Sequence, residues 1–163
     1  MRDPQSEPVE YHDGVPAARP RGEPLSWGWA LDRLLTAEKY WIASLSPRRE
    51  TDVALVHGVW YEDCLWFSVT GGSKLDRYLA HDPSCAASVV APPDVMMLDG
   101  GTVPVTDPAD LLLLADLLAQ KYETPRAVTR AGLAGNIGFR LVPRLALGSA
   151  DHASPTQWHF ADH

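Results

Sequence analysis

Residues 40–83 read YWIASLSPRRETDVALVHGVWYEDCLWFSVTGGSKLDRYLAHDP. Three apolar runs follow one another in this stretch: Tyr40 to Leu45, Val53 to Tyr61 and Cys64 to Val69. Polar residues separate them, Ser46 to Asp52 and then Glu62-Asp63. β-rich runs joined by short polar gaps predict an antiparallel meander. The third run leads into Thr70-Gly71-Gly72-Ser73-Lys74, and a short helical pattern follows to His81. A strand, a Gly-rich turn and a helix start can cradle an anion, because free backbone N–H groups and the positive end of the helix dipole converge there. A phosphorylated cofactor, if the chain holds one, is expected at this turn. Ser73, Lys74 and Arg77 share a side within i, i+3 and i, i+4 spacing. Asp76 puts a negative charge beside them.

The middle run holds one titratable group in its interior, His57. It reads either as a sheet-edge histidine or as a residue facing a ligand. Gly58 beside it favours the second reading, since a strand glycine lets another group come close to the backbone. Trp60, Tyr61, Trp66 and Phe67 cluster on neighbouring strands. Such density marks a core or a subunit interface, or else the walls around a flat ring.

Outward from this stretch the chain is simpler. Met1 to Pro24, rich in proline, charge and small residues, reads as a mobile arm (1–24) before one domain (25–163). Ser26 can cap a helix from Trp27 to about Lys39. Beyond Asp82-Pro83, Cys85 to Ala91 predicts a strand. Met96 to Val105, interrupted by Asp99-Gly100-Gly101, predicts one bulged strand or two short ones. Asp107-Pro108 opens the clearest helix, with leucines on its apolar side and Lys121 near its end; it reads as scaffold without a reactive group. Glu123 to Asn136 is loop with helical fragments. Ile137 to Leu147 and Gln157 to Phe160 complete the strands, with Pro143 at a bend or edge.

Composition narrows the function. The 163 residues suit one domain with a real core. A net charge of −7 disfavours nucleic acid and anionic membranes as partners. The two cysteines, Cys64 and Cys85, sit in apolar strand patterns and read as buried free thiols. No apolar run is long enough to span a bilayer and no signal-peptide core stands at the N-terminus, so a cytoplasmic protein is expected. His159 and His163 lack metal-site spacing, and no Walker loop, GxSxG or HExxH occurs.

Taken together, YWIASL, VHGVWYEDCLWFSVTGGSKLDRYLAHDP, GGTVPVTDPADLLLLADLLAQKY, FRLVPRLALG and TQWHF resemble the pyridoxamine 5'-phosphate oxidase-like family, a flavin- and deazaflavin-binding split-barrel superfamily. The resemblance spans about residues 26–160. It implies an α+β fold, a six- to seven-stranded antiparallel split β-barrel with flanking helices, forming a homodimer. It also implies a flavin at the dimer interface, with its phosphate on the turn after the third strand. On this chain those contacts fall on Ser68, Val69, Thr70, Ser73, Lys74 and Arg77. FMN is the expected cofactor, with the 8-hydroxy-5-deazaflavin coenzyme or none as alternatives. The motif is altered: Leu75 and Tyr78 stand where the family favours lysine and asparagine. A charged hydrogen bond to phosphate contributes on the order of 1.5–3 kcal/mol, so both changes weaken the cradle.

Three readings therefore stand. The first is a flavin- or deazaflavin-dependent oxidoreductase transferring hydride to or from a small molecule. The second is a cofactor-free isomerase, cyclase or lyase on the same barrel, with His57 as acid–base in a pocket walled by Trp60, Trp66 and Phe67. The third is a small-molecule binding protein without catalysis.

Overall fold

The structure is a computed structural model and describes residues 3–9, 23–91, 93–150 and 153–161. In chain order its elements are β1 (Gln5–Pro8), α1 (Trp27–Thr36), β2 (Tyr40–Leu45), β3 (Thr51–Val56), β4 (Gly58–Tyr61), β5 (Cys64–Thr70) and α2 (Lys74–His81). Then follow β6 (Ser84–Ala91), β7 (Asp94–Val105), α3 (Pro108–Lys121), α4 (Arg126–Gly132), β8 (Asn136–Ala150) and β9 (Ala153–His159). Every ladder is antiparallel. The α+β class stands, with nine described strands where six or seven were expected.

The two additional strands have separate origins. Gln5–Pro8, inside the segment expected to be a mobile arm, pairs with β9 from Gln5↔His159 to Pro8↔Thr156. Residues 10–22 of that segment lie outside the described residues. The other arises because the run Val53 to Tyr61 is not one strand. β3 pairs with β2, and β4 pairs with β5. The chain changes partners at His57. The hairpin between β4 and β5 turns on Glu62 (φ 46°) and Asp63 (φ 57°), the two positive values that a tight two-residue turn needs.

The sheet runs β1-β9-β8-β7-β6-β2-β3, and β5 joins it through β8. β8 is shared between its two flanks. Its first part pairs with β5 up to Leu65↔Leu141, and its last part pairs with β9 from Leu145↔His159. Pro143 falls between these two ladders, where its missing N–H leaves no strand partner unserved. On the other side, β7 runs along β8 with a register shift at Asp99/Gly100, the bulge that the glycines of this run predict. No ladder joins β3 to β5 among the described residues, so the sheet is open there.

One core fills the inside. Tyr40, Ile42, Leu65, Phe67, Met96, Leu98, Leu141 and Trp158 are at most 2% exposed. Helix α1 begins at Ser26, whose hydroxyl accepts a hydrogen bond from the Trp29 amide at 3.2 Å, and buries Trp27, Ala30 and Leu34. Trp27 meets Trp60, Trp158 and Phe160 edge to face, with centroids 6.1, 5.8 and 5.2 Å away. A second cluster, Val59, Trp66, Val105, Leu114 and Leu118, joins α3 to the outer side of β4 and β5. Cys85 is buried, Cys64 half-buried, and both are free thiols. No helix among the described residues is long and apolar enough to cross a membrane.

Candidate functional site

A cavity of about 610 Å³ lies across the opening between β3 and β5. One wall is β3, with Asp52, Ala54 and Leu55; facing it are Ser68, Val69 and Thr70 of β5. Ser73, the N-cap of α2, and Lys74 and Leu75 in its first turn close one end, and His57 and Tyr122 stand at the other. Leu133 and Asn136 cover the side toward α4. Of the residues expected to contact a cofactor, the cavity brings together Ser68, Val69, Thr70, Ser73 and Lys74, with His57 on the same rim.

Arg77 plays another part. Its Nη1 donates to the Gly72 carbonyl at 2.6 Å, which binds the arginine to the turn itself. Trp60, Trp66 and Phe67 do not wall the cavity, contrary to expectation. They are 6, 2 and 0% exposed and belong to the core. Trp60 packs on Trp27, Phe67 stacks with Phe139 at 5.8 Å, and Trp66 lies under the Arg140 guanidinium on the opposite face of β5. Alternation along the strand sends neighbouring aromatics to opposite sides, where each finds apolar cover.

The turn before α2 has the local geometry of an anion cradle, but several of its donors are already engaged. Gly71 N–H donates to the Gly135 carbonyl and Ser73 N–H to the Thr70 carbonyl. Gly72 N–H donates to Asp76 Oδ2 at 2.8 Å, so a side-chain carboxylate of α2 sits on the turn. The Ser73 hydroxyl caps the helix by accepting from the Asp76 amide. Lys74 Nζ is ion-paired to Asp52 Oδ1 at 2.5 Å, and that bond raises the pKa of the exposed ammonium. Leu75, at the position of the lysine that the family favours, is buried in the core. A phosphate placed here would have to take Lys74 from Asp52 and the Gly72 amide from Asp76, leaving both carboxylates facing it. The cavity's charged end thus presents two carboxylates as well as its cation to any anion placed there.

The opposite end joins His57, which the sequence singled out, to Tyr122 and Lys121, which it did not. His57 sits in the break between β3 and β4, exposed, with its ring edge-on to Tyr122 at 4.9 Å. The Tyr122 hydroxyl donates toward the Glu38 carbonyl (2.7 Å) and lies 3.0 Å from the Gly58 carbonyl, and it accepts from the Gly58 amide at 3.2 Å. Lys121, expected to be scaffold, turns inward. Its Nζ donates to Tyr40 Oη at 2.8 Å and to the Gly58 carbonyl at 3.0 Å, 4.8 Å from the Tyr40 ring centroid. No carboxylate pairs with it among the described residues, and burial brings its pKa down to about 8. Tyr40, buried and donating to the Leu34 carbonyl, has its pKa raised by the same desolvation. Gly58 is closely enclosed at this corner, where a Cβ would meet Leu65, Trp66 and Tyr40 atoms at 3.1 Å. Among the described residues no group of three or more His, Cys, Asp or Glu is placed to hold a metal.

No family model and no curated protein matches the sequence. Solved structures do resemble it. A conserved hypothetical protein of Mycobacterium tuberculosis superposes with TM-score 0.74 at 14% identity, over 82% of this chain and 91% of that one. An FAD-binding protein of Mesorhizobium loti gives 0.60 at 14%, covering 82% and 93%. An F420 reductase gives 0.55 at 19%, covering 71% and 94%. Likeness at these identities establishes a common fold and leaves function to the site.

Proposed function

We propose that this chain is an oxidoreductase that binds a flavin-type ring, a flavin or a deazaflavin, in the cavity between β3 and β5. The observation that carries the reading is the cavity itself: an opening of about 610 Å³, with apolar side chains on both walls and polar groups at its two ends. The fold's occurrence in an FAD-binding protein and in an F420 reductase supports it. When bound, such a ring supplies the hydride chemistry. The chain's own residues do the rest. Ala54, Leu55 and Leu75 exclude water from the ring's faces, Ser68 and Thr70 offer hydrogen bonds along one edge, and His57 can carry a proton at the rim.

Binding then rests on the ring more than on a phosphate, because Asp52 holds Lys74 and Asp76 holds the Gly72 amide. Equilibrium titration of the purified protein with riboflavin, FMN and the deazaflavin coenzyme tests this. Saturable micromolar binding, with riboflavin within about tenfold of FMN, is the expected result. Absence of binding by all three sinks the redox reading. The occupied cradle is also what favours a second reading, a cofactor-free reaction at His57. In that case His57→Ala abolishes a turnover that needs no added ring; full activity in that variant rules the role out.

A homodimer belongs to the same proposal. Leu55, Trp41 and Met97 are 44, 40 and 40% exposed. They lie in one row across the outer face, through the pairs Leu55↔Trp41, Trp41↔Ser88 and Ser88↔Met97. Leu55 also lines the cavity, so this face and the site are continuous. Sedimentation of the wild type and of Trp41→Lys decides it: a dimer that dissociates on substitution is expected, and a wild-type monomer refutes it.

A further inference from the structure

A second chamber of about 360 Å³ opens beside the first, between α3, the α4 region and the outer side of β5 and β8. Ser68, Leu133 and Asn136 line both, so the two spaces meet at a waist made of these three residues. The chamber differs chemically from its neighbour. Leu111, Leu112, Leu114 and Ala115 of α3 form one side, and beyond the waist Arg130 is its charged group. That guanidinium is held away as an ion pair, bidentate to Asp116 of α3 at 2.8–3.0 Å. Its pairing leaves the chamber without a free charge from this residue.

The waist is the contrary case. Neither the Ser68 hydroxyl nor the Asn136 side-chain amide has a hydrogen-bond partner among the described residues, and both residues line both spaces. Together they offer donors and acceptors to a single polar group. The wall that separates the chamber from solvent is thin: α4 buries none of its residues, and Leu112 is 51% exposed. A space that is mainly apolar, with its one charged group paired and unengaged polar groups at the waist, suits an amphipathic molecule entering from the larger cavity.

We infer that the smaller chamber receives the hydrocarbon end of the substrate, an alkyl chain or an unsubstituted ring, while Ser68 and Asn136 hold the substrate's polar atom at the waist. The chamber is a feature of the chain by itself. Its role as the substrate's berth rests on the larger cavity holding the ring, since the waist then places the polar atom beside that ring.

Straight-chain 1-alkanols of increasing length test the chamber without any cofactor, followed by amide chemical shifts of the full chain. The expected result is shifts at Ser68, Leu133, Asn136 and Gly138. The dissociation constant should fall about fourfold per methylene until the chain outgrows the space. Leu112→Asp, at an exposed helical position, and Ala134→Phe, in a surface turn that lines the chamber, should each flatten that dependence. Shifts confined to Ala54, His57 and Lys74, an affinity independent of chain length, or no shift at all overturns the inference. Riboflavin titration of the same variants keeps the two readings apart. Alkanol binding without riboflavin binding removes the ring and leaves the chamber; the reverse removes the chamber and leaves the ring.

Discussion

Lys74 lines one end of the larger cavity, Lys121 lies behind the other end beside Tyr122 and Gly58, and the two lysines are opposites. Lys74 is exposed and paired with Asp52, and its pKa is raised. Lys121 is half-buried among Tyr40, Tyr122 and the Gly58 carbonyl, and its pKa is lowered to about 8. The first end is a surface turn whose charges cancel locally. The second is a tightly packed corner where a strand changes partners and a cation has only neutral neighbours. Residue type distinguishes neither; surroundings do.

Substituting the corner glycine should give the largest effect. Gly58→Val drives methyl groups into atoms 3.1 Å from its Cβ position, and overpacking of this kind costs about 2 kcal/mol or more. Urea unfolding measures it, and a loss under about 0.5 kcal/mol would show the corner to be as yielding as the turn. At the turn, Gly72 has φ +73° with open space around it. Gly72→Ala meets only the backbone penalty of that conformation, about 1 kcal/mol.

The lysines themselves respond to pH in different ways. Lys121 has a folded pKa near 8, below its unfolded value, so the unfolded chain binds the additional proton above pH 8. Stability contributed by this group therefore rises between pH 8 and about 10 and is lost as pH falls through 8. Allowing for solvent at a half-buried group, the rise is about 1 kcal/mol. Lys121→Met should flatten that portion of the stability–pH curve; an unchanged slope would assign it elsewhere. Lys74→Ala is expected to have the smallest effect, under about 0.5 kcal/mol and reduced further by salt, because exposed ion pairs contribute little. A larger loss would mean that the Asp52–Lys74 pair fastens β3 to α2.

What the sequence made visible was local. The Tyr40–Leu45 strand, the Glu62-Asp63 turn, the Ser26 and Asp107 caps and the glycine bulge near Gly100 each depend on residues a few positions apart, and each is found. What stayed hidden depends on distant partners. Lys121 meets Tyr40 across 81 positions and Gly58 across 63. Nothing in a helix ending Ala-Gln-Lys-Tyr distinguishes an inward lysine from a solvated one. The break at His57 was equally silent, because β-favouring residues on both sides hide a change of neighbour. The aromatic cluster misled for a related reason: density in sequence fixes neither face nor cover, and Trp60, Trp66 and Phe67 were drawn into the core. The Ser-Lys turn was correctly located, yet its electrostatic state depended on Asp52, some twenty residues upstream.

The shared strand β8 has a consequence for how the molecule comes apart. Because it pairs with β5, β7 and β9 in turn, neither flank of the sheet possesses a complete set of backbone partners without it. Melting either flank strands the amides of the other. Denaturation is therefore expected as a single cooperative transition, with the slowest-exchanging amides along Phe139, Leu141 and Ala146 and the fastest on edge strand β1. The opening that forms the cavity thus divides the hydrogen-bonding pattern without dividing the folding unit.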